Sequence, residues 1–174
     1  MVTPRSRDAI SLSVNDGYVW HALRLLRSLR RNWRNHPDVL IQHGGLTSES
    51  QALFSGVPGV QLCLPADTLE GPPINLAPGA DTRATYLRLN LWNDVADYER
   101  ILYLDADTIV LKPLDDLMTA DGFVMFTDHT ADTLGMFIDA GNRELQNLLT
   151  EDGVTLGAPM ANAGVFVMPR RSPR

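Results

Sequence analysis

Apolar and small polar positions alternate near the start of the chain: Ile10, Leu12 and Val14 are separated by Ser11 and Ser13, and the run stops at Asn15-Asp16-Gly17. A period of two closed by turn formers predicts a strand that enters a turn. The period then changes to that of a helix. From Val19, apolar residues recur at Ala22, Leu23, Leu26, Leu29 and Trp33, while Arg24, Arg27, Arg31 and Arg34 form a second stripe and Pro37 bounds the segment. Residues 39–41 and 60–64 predict two more strands, with a short helix between them opened by the capping residues Thr47-Ser48-Glu49-Ser50. Residues 65–81, with four prolines, predict the longest irregular stretch. A helix is expected over 82–95, with Ala84, Leu87, Leu91 and Val95 on one face, followed by strands over 101–104 and 123–126. A helix over 143–149 and a last strand over 164–168, preceded by Asn162, complete the pattern. Strands alternating with helices, with no internal repeat, predict an α/β layer architecture.

Composition fits that picture: 174 residues, 44% of them hydrophobic, make one soluble domain. A chain of this size buries roughly 70% of its unfolded surface, so neither a disulfide nor a structural metal is required. Cys63 is the single cysteine, and its place in a strand-like run predicts a buried, inert thiol. The first residues carry no apolar run of the signal-peptide kind, and no segment approaches the roughly 20 apolar residues of a membrane span. A cytoplasmic setting is expected.

The charge is unevenly placed. Residues 1–34 carry seven Arg and two acids, whereas residues 35–169 carry five basic residues and nineteen acids. The arginine stripe after Val19 reads as a solvated helix face in preference to a phosphate or lipid patch. An acidic centre excludes a general nucleic-acid binder, which needs a continuous basic face, and suits a divalent cation instead.

The candidate chemistry lies where the apolar strand Ile101-Leu102-Tyr103-Leu104 runs into Asp105-Ala106-Asp107. In extended chain, residues i and i+2 face the same side, which predicts that Asp105 and Asp107 converge. Each then raises the other's pKa unless a cation neutralises them. Such a pair serves a metal on the phosphates of a nucleotide-sugar, a phosphatase of the haloacid-dehalogenase type, or a magnesium site of another phosphoryl-transfer fold. The phosphatase needs a lysine well downstream, and the only lysine is Lys112, five residues past Asp107. No P-loop, dinucleotide fingerprint or nucleophile-elbow motif occurs.

Four elements in order, Asn15-Asp16-Gly17-Tyr18, Thr85-Tyr86-Leu87-Arg88-Leu89, Leu102-Tyr103-Leu104-Asp105-Ala106-Asp107-Thr108 and Asn162-Ala163-Gly164-Val165, together resemble glycosyltransferase family 8. This is the family of glycogenin and of bacterial lipopolysaccharide galactosyl- and glucosyltransferases. The likeness runs from about residue 10 to residue 168. It implies a GT-A fold, a Rossmann-like sheet flanked by helices, and retaining transfer of a hexose from UDP-glucose or UDP-galactose with Mn²⁺ or Mg²⁺. By the same resemblance Asp107 and Asp105 hold the metal, with Asp105 and Ala106 also on the donor. Arg88 meets the donor phosphate, Leu12, Val14, Asn15 and Tyr18 form the base pocket, and Asp128, Asn162 and Ala163 contact the transferred sugar. The two residues assigned to catalysis are Asp128 and Asn162. The acceptor implied is a glycan of lipopolysaccharide type, which adds a peripheral place at the inner face of the membrane.

Members of the family continue past the Asn-Ala-Gly strand to a histidine that completes the metal site. Here His21, His36, His43 and His129 match no ligand position and read as surface or turn residues. Residues 169–174 read as a tail on a single domain that ends before this segment, so impaired activity is one expectation. The alternative is a non-catalytic UDP-sugar-binding or interaction module on a degenerate fold.

Overall fold

The computed structural model describes residues 8–64, 86–91, 97–127, 133, 147 and 149–170. The described elements are strands β1 (Asp8–Val14), β2 (Asp38–His43), β3 (Val60–Cys63), β4 (Arg100–Leu104), β5 (Val124–Thr127) and β6 (Ala161–Pro169), with helices α1 (Val19–Asn32) and α2 (Ser48–Ser55). The chain divides into two compact units, Met1–Val124 with Phe166–Arg174, and Met125–Val165.

In the first unit, β1 is the central strand. It pairs in parallel with β2 on one side (Ile10 opposite Val39) and β4 on the other (Ile10 opposite Leu102). β2 pairs in parallel with β3, so the strands of this unit run β3-β2-β1-β4, with the last residues of β6 next to β4. Because β1 is covered on both faces, its serines are as buried as its aliphatics: Ser11 is fully buried and donates its hydroxyl to the Leu40 carbonyl at 3.3 Å. A bidentate pair between Arg100 and Asp8, at 3.0 and 3.2 Å, ties the first residues of β4 and β1 together at the end of the sheet away from the acidic turn.

Helix α1 packs Val19, Ala22, Leu25, Leu26 and Leu29 inward, and Trp33 follows them into the core. Leu25 therefore takes the buried position that the sequence pattern assigned to Leu23, which is half-buried on the flank. The reason is geometric: residues 22, 25, 26, 29 and 33 follow the i, i+3, i+4, i+7 rule more closely than a stripe through 23. The C-terminal half of α1 also holds the chain that follows the acidic turn. Ser28 accepts from the Val110 N–H at 2.9 Å, Asn32 donates to the Val110 carbonyl at 2.8 Å, and the Trp33 indole donates to Asp115 at 3.1 Å.

Helix α2 starts as its sequence predicts, with the Thr47 hydroxyl accepting from the Ser50 N–H. Of the helix expected over 82–95 only 86–91 is described. There Leu87–Asn90 form a 3₁₀ turn rather than α-helix, with Leu87 and Leu91 buried as the pattern required. Residues 65–85 and 92–96 lie outside the described residues.

In the second unit, the helical turn ending near Glu151 closes on Gly153 at φ +79. The Val154 N–H reaches the Leu149 carbonyl and the Gly153 N–H the Thr150 carbonyl, the paired bonds of a Schellman cap. This helix end lies two residues beyond the predicted limit. Strand β6 begins three residues earlier than predicted, so Asn162 sits inside the strand instead of preceding it.

Candidate functional site

The strand order makes one place special. From β1 the sheet proceeds outward to β2 and β3 on one side and to β4 on the other, so the direction of succession reverses between β1 and β4. In open α/β sheets the crevice at the carboxyl ends of the strands flanking such a reversal is where ligands bind. The residues there are Ser13 near the end of β1, Asn15 and Tyr18 after it, and Asp105 and Asp107 after β4.

β4 is an apolar strand whose last four residues are buried, so it carries Asp105 rigidly to its end. The chain then turns. The Thr108 N–H donates to the Asp105 carbonyl at 2.9 Å, closing a turn over 105–108. The two aspartates are therefore not consecutive same-side residues of an extended strand, as the sequence spacing implied. Asp105 is half-buried beside the sheet, Ala106 is buried, and Asp107 is exposed at the turn.

Two groups contact Asp105. The Tyr103 phenol donates to its Oδ1 at 3.0 Å, and Nη2 of Arg88 lies 3.3 Å from the same oxygen. The Arg88 guanidinium also sits 5.1 Å from the Tyr103 ring centroid, a cation–π contact, and Tyr103 stacks on Phe166 at 4.8 Å with planes 16° apart. The phenol is thus clamped between a cation and an aromatic ring. Burial raises the Asp105 pKa above the usual carboxylate range; Arg88 and the Tyr103 hydrogen bond oppose that shift, and Asp107 adds to it. Burial, with the Asp105 charge, also pushes the Tyr103 phenol upward, so it stays a donor.

On the β1 side, Ser13 Oγ and Asn15 Oδ1 are buried without a hydrogen-bond partner. The Ser13 hydroxyl lies near the Tyr103 phenol without the geometry of a bond. Unpaired buried polar atoms are rare and costly, and two together at a strand end mark where a polar ligand would satisfy them. Tyr18, 47% exposed, has its ring 5.2 Å from that of His21. The turn between β1 and α1 is fixed by Asp16, whose Oδ1 accepts from the Thr47 N–H at 3.2 Å, the Thr47 hydroxyl at 2.9 Å and the Ser50 hydroxyl. These bonds, Ser50 first, hold the Asp16 pKa below its ordinary value.

The structure thus places Asn15 and Tyr18 after β1 and Asp105, Ala106 and Asp107 after the adjacent β4, with Arg88 on Asp105. Leu12 and Val14 are at most 1% exposed, so their side chains belong to the core and only their backbone could face a ligand. Asn162 and Ala163 are exposed in the second unit, where Asn162 Oδ1 accepts from the Gly164 N–H at 2.8 Å. Asp128 lies outside the described residues. His43 departs from its predicted surface place: it is 6% exposed, and its Nδ1 accepts from the Gly45 and Leu46 N–H groups. Cys63 is half-buried rather than buried. Sequence reasoning missed Ser13, Asp16 and Tyr103. For Tyr103 the signal was present, a hydrogen-bonding ring two residues before the acid in an otherwise aliphatic strand.

Whether the pair suits a divalent cation can be judged from its free oxygens. Among the described residues, Asp105 Oδ2 and both Asp107 oxygens have no hydrogen-bond or ion-pair partner. Hard carboxylate donors of this kind fit Mn²⁺ or Mg²⁺, which commonly take one or two protein carboxylates and fill the remaining positions with water and phosphate. No third His, Cys, Asp or Glu joins the pair among the described residues.

The fold is that of the GT-A glycosyltransferases. The galactosyltransferase LgtC, solved with donor and acceptor sugar analogues, superposes with a TM-score of 0.67 over 93% of this chain and 57% of its own, at 21% identity. Glucosyl-3-phosphoglycerate synthase of Mycobacterium tuberculosis, solved with Mn²⁺, UDP and glucosyl-3-phosphoglycerate, gives 0.50 over 96% of this chain and 57% of its own, at 18% identity. More specifically, the chain belongs to glycosyl transferase family 8, whose model matches residues 9–168. Glycogenin-1 of Caenorhabditis elegans is 27% identical over 153 residues, 86% of this chain and 35% of the relative. The chain thus spans about a third of that relative and just over half of the two solved structures.

Proposed function

We propose that this chain carries the nucleotide-sugar site of a retaining hexosyltransferase that uses UDP-glucose or UDP-galactose. The observation that carries the reading is the half-exposed Asp105, held by Tyr103 and Arg88 at the reversal point of the sheet beside Asp107. Departure of UDP concentrates negative charge on the diphosphate, and a site for this reaction must offer positive charge there without needing a proton. Asp105 and Asp107 would hold Mn²⁺ or Mg²⁺, which when bound supplies Lewis-acid stabilisation of the diphosphate. Tyr103 and Arg88 fix the Asp105 carboxylate, and Arg88 adds a permanent positive charge on the side of the site where phosphate oxygens would lie.

Ser13 and Asn15 offer unsatisfied polar atoms for the base and ribose, and Tyr18 an accessible ring against which a uracil can stack. Asp128, Asn162 and Ala163 are proposed for the sugar on the strength of the family resemblance. The acceptor we propose is a glycan of lipopolysaccharide type, and no nucleic acid is involved. Among the described residues no helix is long and apolar enough to cross a membrane.

The test is UDP release by the purified chain given UDP-glucose or UDP-galactose, Mn²⁺ and a glycan acceptor. Release that depends on acceptor and vanishes in Asp107→Asn supports transfer. A second reading, a donor-binding module without turnover, draws on the occupation of Asp105 Oδ1 by Arg88 and Tyr103. UDP binding without release in the same assay would select it.

A further inference from the structure

Helix α1 carries Arg24, Arg27, Arg30 and Arg31, and Arg34 follows it, with no Asp or Glu from residue 17 to residue 37. At 3.6 residues per turn, Trp20, Arg24, Arg27 and Arg31 line up at i, i+4, i+7 and i+11, opposite the buried Ala22, Leu25 and Leu29. All four are exposed, Trp20 at 66%. Among the described residues no carboxylate pairs with these arginines; the ion pairs engage Arg88 and Arg100 instead. Beside this line runs an open groove of about 440 Å³, with Leu23, Leu26 and Val57 between Arg27, Arg30 and Arg31.

A merely solvated face accounts poorly for this arrangement. Solvated helices gain from acids four residues from their bases, whereas here Arg27–Arg31 is a like-charge pair, which destabilises a helix. The exposed indole lies at the N-terminal end of the charged stripe and in line with it, not at its apolar border. The apolar face of α1 is spent on the protein core, so what it offers outward is electrostatic: clustered arginines are attracted to the phosphates of an anionic lipid surface, and an exposed indole beside them suits headgroup level. The groove adds an apolar floor under a rim of guanidinium groups, matching the order of phosphate and hydrocarbon in a phospholipid. Residues 35–169 are strongly acidic, so a flat anionic surface can meet this face alone, while a flexible polyanion following the protein would meet repulsion beyond it.

We infer that α1 seats the protein on an anionic phospholipid surface, with Trp20 at headgroup level and Arg24, Arg27 and Arg31 on lipid phosphates. This seating does not depend on donor binding and is read separately from it. The experiment is co-sedimentation of the full chain with vesicles of phosphatidylcholine alone and of phosphatidylcholine with phosphatidylglycerol, at low and high salt. Binding is expected to the anionic vesicles only, and to fall as salt rises. The triple variant Arg24→Gln, Arg27→Gln, Arg31→Gln should lose roughly a hundredfold in partitioning, since each juxtamembrane arginine contributes severalfold. Trp20→Ser should bind more weakly and lose the blue shift of indole fluorescence on vesicle addition. All four replaced side chains are exposed, so unchanged melting temperatures check the fold, and Trp20→Ser remains decisive if the triple variant fails that check. Equal binding to neutral vesicles, no binding to anionic ones, or native binding by both variants overturns the inference. Tighter binding to an oligonucleotide than to anionic vesicles also overturns it, in favour of a nucleic acid.

Discussion

Tyr103→Phe isolates one atom of the candidate site. The ring remains between Arg88 and Phe166, where stacking at 4.8 Å and the cation–π contact at 5.1 Å survive, and only the hydroxyl that donates to Asp105 at 3.0 Å is lost. A hydrogen bond to a charged acceptor contributes about 1.5–3 kcal/mol when shielded. Asp105 is 36% exposed, so water replaces part of that bond and the residual effect should be about 1 kcal/mol. Removing the outer partner of a metal-binding carboxylate lowers affinity at least as much, commonly about tenfold. The expected result is a five- to tenfold weaker UDP affinity in the presence of Mn²⁺, with a melting temperature within about 4 °C of the parent. Tyr103→Leu, which also removes the ring, should lose both affinity and several degrees of stability. Calorimetric titration with a thermal melt reads both quantities. If Tyr103→Phe binds UDP as tightly as the parent, the phenol does not position Asp105.

Other consequences follow from the same packing. Ser28→Ala leaves the Val110 N–H, on a residue 3% exposed, without its acceptor; a loss of about 1–2 kcal/mol in denaturant unfolding is expected, and no loss would mean that α1 does not hold the segment after the acidic turn. Ile101→Ala empties a fully buried position of β4 and should cost about 2–5 kcal/mol; a smaller cost would place β4 outside the core. Burial holds the His43 pKa below its ordinary value, and its Nδ1 accepts two N–H groups, so the fold needs the neutral imidazole. The unfolded chain therefore takes up the proton first: the contribution is complete above about pH 6.5 and is lost as pH falls from there through the folded pKa. Stability measured from pH 7 down to pH 5 should fall by more in the parent than in His43→Asn, and equal slopes would refute the assignment.

Much of the fold was legible because period and punctuation agree along the first half of the chain. The serine alternation of β1, the capped start of α2 and the apolar run of β4 each specify an element locally. What could not be read locally depended on pairing. That β4 lies beside β1, which creates the reversal point, follows from sheet order, and no residue encodes it alone. The same holds for Arg88: its sequence neighbours identify a helical face, while its contact with Asp105 arises only when the 86–91 segment packs against the end of β4. The convergence of Asp105 and Asp107 failed as a strand argument because the Thr108 N–H closes a turn on Asp105, a bond that Thr108 makes with its backbone and not with anything its side chain announces. Ser13 was legible as a strand residue but not as an unpaired one, since burial on both faces of β1 follows from the neighbours it acquires.

The central claim is that Asp105 and Asp107 form a cation-dependent site for the diphosphate of UDP. Calorimetric titration of UDP into the chain, with Mn²⁺ and with chelator, for the parent and Asp107→Asn, tests it most directly. Binding that requires Mn²⁺ and weakens at least tenfold in Asp107→Asn is the predicted result. UDP binding of equal strength with chelator, or undiminished in Asp107→Asn, would contradict it.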